Sequence, residues 1–78
     1  MPRNATIDVR GMSPPEPIER VLETIGDFEQ GDRLRLIIDC MPQPLFRILE
    51  RSGFGHREEP GVEALYEITI WLKPDIGE

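Results

Sequence analysis

Apolar positions in this chain fall into short runs whose spacing alternates between the period of a strand and that of a helix. Ala5, Ile7 and Val9 alternate with Thr6, Asp8 and Arg10. That period of two predicts a strand over 5–10 with one buried face, ended by Gly11. Ile18, Val21, Leu22 and Ile25 then stand at i, i+3, i+4 and i+7, a helical stripe that leaves Glu19, Arg20, Glu23 and Thr24 on the solvated side. Gly26 marks its end, Phe28 turns back toward the core, and Gln30-Gly31-Asp32 is turn chemistry. From Arg33 to Asp39, Leu34, Leu36 and Ile38 share one face and Arg33, Arg35 and Ile37 the other, which predicts a central strand. Leu45, Ile48 and Leu49, with Phe46 beside them, form a second helical stripe, terminated at Ser52-Gly53. Phe54 to Glu59 reads as a weaker strand and Pro60-Gly61 as a turn. Val62 to Leu72 is the longest strand: Val62, Ala64, Tyr66, Ile68, Ile70 and Leu72 take one face, and Leu65, Glu67, Thr69 and Trp71 the other.

Prolines open both helices. Ser13-Pro14-Pro15-Glu16-Pro17 precedes the first and Cys40-Met41-Pro42-Gln43-Pro44 the second. Proline is excluded from helix interiors but tolerated in the first turn, where N–H groups have no intrahelical acceptor. Ser13 is placed to cap the first helix, with Glu16 completing a capping box. Glu16 and Arg20 are spaced for an i, i+4 ion pair. The order is therefore β-α-β-α-β-β. Right-handed crossovers bring the first three strands into one direction and both helices onto one face. The predicted fold class is α/β (α+β), a two-layer sandwich with a mixed four-stranded sheet whose other face is open. Its inner layer is expected to include Ile7, Val9, Ile18, Val21, Leu22, Ile25, Leu36, Ile38, Leu45, Ile48, Leu49, Ile68 and Ile70.

The length of 78 residues allows one domain, 1–78. The net charge of -6, from 15 acidic against 9 basic residues without a basic cluster, argues against nucleic acid as a partner. No apolar run reaches the ~18–20 residues that cross a bilayer, so no membrane partner is expected. The first residues lack the apolar core of a secretory leader. The single cysteine excludes an internal disulfide and a multi-cysteine zinc site. The expectation is a cytoplasmic domain without a cofactor.

Chemistry is expected where the two proline-rich segments meet. Both follow parallel strands, so both lie at the carboxyl end of the sheet, where open α/β sheets bind ligands. The candidate ligand- or partner-binding set is Ser13, Pro14, Pro15, Glu16, Asp39, Cys40 and Met41.

These same segments carry a resemblance. Ile7 to Pro17, I-D-V-R-G-M-S-P-P-E-P, resembles the signature of the TusA-like (SirA-like) sulfur-carrier family, in which a strand ends in a Gly-hydrophobic-x-Cys-Pro-x-Pro turn that opens the first helix. Gly11, Met12, Pro15 and Pro17 match; Pro14 occupies the position of the sulfur-bearing cysteine and supplies no nucleophile. The chain looks closest to an uncharacterised bacterial branch that shares the P-P-E-P opening and a second motif, Asp-His-x-Pro-x-Pro-Leu. Here that motif reads Asp39-Cys40-Met41-Pro42-Gln43-Pro44-Leu45, with cysteine in place of histidine. The resemblance implies strand order 1-2-4-3 and a function tied to sulfur or redox metabolism. Without the nucleophile, the expectation is a non-catalytic domain that binds a protein partner or a small ligand, not an enzyme.

Three alternatives follow from the residues. Cys40, at a helix start that favours thiolate, is a candidate relocated sulfur (persulfide) carrier. Cys40, Met41 and His56 are donors suited to a soft metal such as copper(I). Asp8 and Asp39 either hold a cation or bind the loops, with loop bonding the better reading. On the open sheet face, Arg35, Ile37, Leu65 and Trp71 are candidates for an interface with a protein partner or a second copy in a homodimer.

Overall fold

The computed structural model describes residues 2–61 and 66–74. The elements run β1 (Asn4–Asp8), α1 (Glu16–Ile25), β2 (Arg33–Ile38), α2 (Gln43–Arg51), β3 (Phe54–Pro60) and β4 (Tyr66–Leu72). The sheet order is β1-β2-β4-β3. β1 lies parallel to β2, with Ile7 opposite Leu36; β4 runs antiparallel to both β2 and β3, with Ile68 opposite Leu36 and Trp71 opposite Gly55. This is the α+β architecture and strand order expected.

The alternation along β2 and β4 decides which face is covered. Leu34, Leu36, Ile38, Ile68 and Ile70 are buried, and Val21 and Ile25 of α1 and Leu45, Phe46 and Leu49 of α2 pack against them. Both helices therefore share one face. Arg33 and Arg35, which alternate with the buried leucines, are exposed on the other. Of the expected inner layer, Ile7, on the edge strand β1, and Ile18, Leu22 and Ile48, on the helices, are only half-buried. Leu34 and Phe46 join the core beyond the residues expected there.

Three local expectations need correction. The capping box does not form: the N-cap is Pro15, without a side-chain cap bond. Ser13 lies two residues before that cap and contributes only its carbonyl, which accepts the Glu16 N–H at 2.9 Å. No ion pair joins Glu16 to Arg20 among the described residues; Thr24 instead donates its hydroxyl to the Arg20 carbonyl at 2.8 Å. Pro60 is not a turn residue but the last residue of β3, opposite Tyr66. It is tolerated there because β3 is an edge strand, so its missing N–H takes no ladder bond away from a neighbour. Val62, Ala64 and Leu65, expected in β4, lie outside the described residues.

The buried charged residue Asp32, 3% exposed, ties the first residues to the turn before β2. Its carboxylate accepts the Glu29 N–H at 2.9 Å, the Arg3 N–H at 2.8 Å and the Arg3 guanidinium at 2.8 and 3.0 Å. These bonds, first the Glu29 and then the Arg3 backbone N–H, hold its pKa down at about 2. Gly31, at φ 96°, makes the turn that aims Asp32 inward.

Candidate functional site at the helix openings

The two proline-rich segments do meet. Pro14, Pro15, Pro17 and Ile18 from the first and Cys40, Met41, Pro42 and Pro44 from the second close around Ile38 to form a hollow of about 170 Å³. β1 and β2 bring them together because they are parallel neighbours, so the chain leaves both at the same end. Apart from the Cys40 thiol, every lining side chain is hydrocarbon or thioether. Cys40 is exposed, whereas Met41 packs partly on the core and Pro42 is buried.

The prolines also change the electrostatics of this end. A helix start normally leaves several N–H groups free for an anion. In α2, Gln43 N–H donates to the Met41 carbonyl at 3.0 Å and Leu45 N–H to the Pro42 carbonyl at 3.0 Å, while Pro44 has no N–H. The first turn of α2 therefore has no spare donor for a thiolate or a phosphate.

Of the expected set, Pro14, Pro15, Cys40 and Met41 line the hollow. Ser13, Glu16 and Asp39 are exposed and are not among its lining residues. Asp8, at the end of β1, is engaged with its own loop: its carboxylate accepts the Arg10 guanidinium at 2.6 Å and the Arg10 N–H at 3.0 Å. The Arg10 side chain, then its N–H, keeps the Asp8 pKa at about 2. Loop bonding is thus its observed role.

His56 is not part of this end. Its ring stacks on Phe46 at 4.2 Å, with Nε2 3.4 Å from Glu50 and Nδ1 3.7 Å from Glu58. The hollow that holds Cys40 and Met41 does not include it. Among the described residues, no group of three or more His, Cys, Asp and Glu is placed to hold a metal ion.

On the open face, Arg35 is held by Glu67 through bonds of 2.8 and 3.0 Å. Ile37 faces Glu67 and Trp71 faces Arg33, with the Arg35–Thr69 pair between those rows. Ile37 and Trp71 are therefore four residue steps apart along the strands, roughly 13 Å, and do not touch as one apolar patch. Leu65 lies outside the described residues.

The profile of the family described as "Uncharacterized conserved protein (DUF2249)" matches residues 6–71. The chain belongs to the DUF2249 family. The match runs from β1 through Trp71, so it takes in both proline-rich openings. This DUF2249 domain is similar to the crystal structure of a SirA-like protein from Desulfitobacterium hafniense, at a TM-score of 0.76 and 23% identity, over 90% of this chain and 99% of that one. That likeness establishes the SirA-like fold. No curated protein matches the chain significantly. No helix among the described residues is long and apolar enough to cross a membrane.

The sequence pattern points to this end of the sheet but does not mark the lining by Pro17, Ile18, Ile38, Pro42 and Pro44, which it places in helix openings or the core. The signal was the repetition itself: two proline-rich helix starts, each following a strand of the same direction.

Proposed function

We propose that this DUF2249 domain is a non-catalytic binding module linked to sulfur or redox metabolism, and that it engages a protein partner through the hollow at its helix openings. The observation that carries this reading is the lining. Pro14 stands where the SirA-like motif has its cysteine, and the walls offer apolar surface without an acid, a base or a free N–H in the first turn of α2. Its size supports a protein partner over a small ligand. At about 170 Å³ the hollow is smaller than the ~300–1,000 Å³ typical of small-molecule pockets, and is suited to one apolar side chain of a partner.

A second reading, sulfur carriage by Cys40, is favoured by the exposed thiol on the rim of the hollow. Intact-mass spectrometry after incubation with a cysteine-derived persulfide donor separates the two. The expected result is that the reduced protein gains no sulfur and keeps a free thiol. Gain of one sulfur atom that disappears in Cys40→Ser would replace the binding-module reading with that of a carrier whose cysteine has moved to the second motif.

A further inference from the structure

A larger depression lies on the open face of the sheet, with a volume of about 370 Å³ and a lining of Arg33, Arg57, Glu59, Thr69 and Trp71. That volume falls within the ~300–1,000 Å³ range of small-molecule sites.

The sheet register builds it. Trp71 on β4 stands between Arg33 on β2 and Gly55 on β3. A Cβ on Gly55 would come within 2.6 Å of Trp71 Cε2 and 2.7 Å of its Nε1. The indole therefore lies down over β3 only because residue 55 has no side chain, a close approach of the kind that places glycine inside a strand. Lying down, it turns an aromatic face outward. The Arg33 guanidinium carbon stands over the ring, 6.0 Å from its centroid. One register step away, Thr69 stands between Arg35 and Arg57. Arg35 is engaged by Glu67, and Arg57 lies 3.3 Å from Glu59. Arg33 has no carboxylate partner among the described residues; its neighbour is the indole. The lining thus sets two guanidinium groups against one carboxylate, around a flat ring.

We propose that this depression binds a small molecule that joins a planar aromatic ring to a phosphate, the chemistry of a mononucleotide. The ring stacks on Trp71 in place of the Arg33 guanidinium, which swings off the indole to the phosphate, as bases stack on exposed aromatic side chains. The phosphate sits between Arg33 and Arg57, whose planar donor forks match its oxygens, with the Thr69 hydroxyl as a further donor. A single phosphate meets the locally positive corner. A polyanion would extend into the field of a chain with net charge -6, so the site suits one nucleotide rather than a strand. The site stands on the sheet face away from the helices and does not depend on the partner reading above.

Trp71 is the sole tryptophan of the chain, so its fluorescence reports the site directly. Titration with AMP is expected to change the emission saturably, with a Kd below about 1 mM. Adenosine alone and inorganic phosphate alone are expected to bind roughly tenfold more weakly or less. Arg33→Ala, at an exposed position that leaves the core intact, should weaken AMP binding by a factor of roughly ten. Arg51→Ala, on α2, should leave it unchanged. Absence of a saturable change with AMP overturns the proposal. Equal loss in Arg33→Ala and Arg51→Ala overturns it as well, because the attraction would then be general charge. Phosphate that binds as tightly as AMP overturns the stacking role of Trp71.

Discussion

Leu36→Ala is expected to lower the thermal midpoint by on the order of 15 °C, read by circular dichroism. Leu36 is 0% exposed. It lies on β2, which is paired on both sides, opposite Ile7 of β1 and Ile68 of β4. A cavity there has no loose element that can close over it, so the loss belongs in the middle or upper part of the ~2–5 kcal/mol range for buried leucine truncation. A domain of this length has only about 4–12 kcal/mol in total, and about 1 kcal/mol moves the midpoint of such a small domain by ~4–8 °C. Ile48→Ala, at a half-buried position on α2, should cost clearly less. Equal shifts for the two would mean that the helix layer, not the central strand, sets the stability.

The second large effect is expected at Asp32. Asp32→Ala removes the acceptor of the Glu29 and Arg3 backbone N–H groups and of the Arg3 guanidinium at one stroke. A thermal midpoint lower by on the order of 10 °C is expected, the scale on which a small domain responds when hydrogen-bonded donors lose a charged acceptor. The pH dependence follows from the direction of the shift. The folded-state pKa of Asp32, about 2, lies below its ordinary 3.8. Its contribution is therefore fully present above that ordinary value and is lost as pH falls toward and through about 2. Asp8, also held at about 2 by Arg10, acts in the same window, but its partner is exposed and salt weakens it. Acid titrations should thus show a shallower loss of stability below pH 4 in Asp32→Ala than in the parent, with the difference retained at high salt. Identical acid profiles would show that Asp32 is not the group that ties Arg3 to the turn.

Much of this architecture was legible because it rests on periodicity. The alternation of Leu34, Leu36 and Ile38 with Arg33, Arg35 and Ile37 identified the central strand and its buried face, and the Ile18–Ile25 stripe identified α1. The strand order required the family resemblance, since periodicity does not say which strand pairs with which. Part of what escaped was set by contacts far apart in sequence. Asp32 looked like turn chemistry, and only the fold brings Arg3 to it. Ser13 and Glu16 carry the letters of a capping box, yet the run of prolines delays the helix to Glu16, so the box has no helix to cap. Gly55 carried a readable signal, a glycine inside a strand, but its meaning depended on Trp71 as the residue opposite. Of the site, the proximity of Pro14 and Cys40 followed from parallel strands alone. Sequence spacing does not carry the strand register, so it groups Ile37 with Trp71 on the open face, whereas the register puts them in different rows.

The hydrogen-bonding state of the α2 start also bears on hydration. Pro44 lacks an N–H, and the Gln43 and Leu45 N–H groups are already spent on the Met41 and Pro42 carbonyls. The usual anchors for ordered water at a helix tip are therefore missing on this side of the hollow. Covering that surface strips little bound water from the backbone, so the loss of solvent there is close to that of plain hydrocarbon. Association at this end should accordingly carry the heat-capacity decrease of apolar burial and depend only weakly on ionic strength.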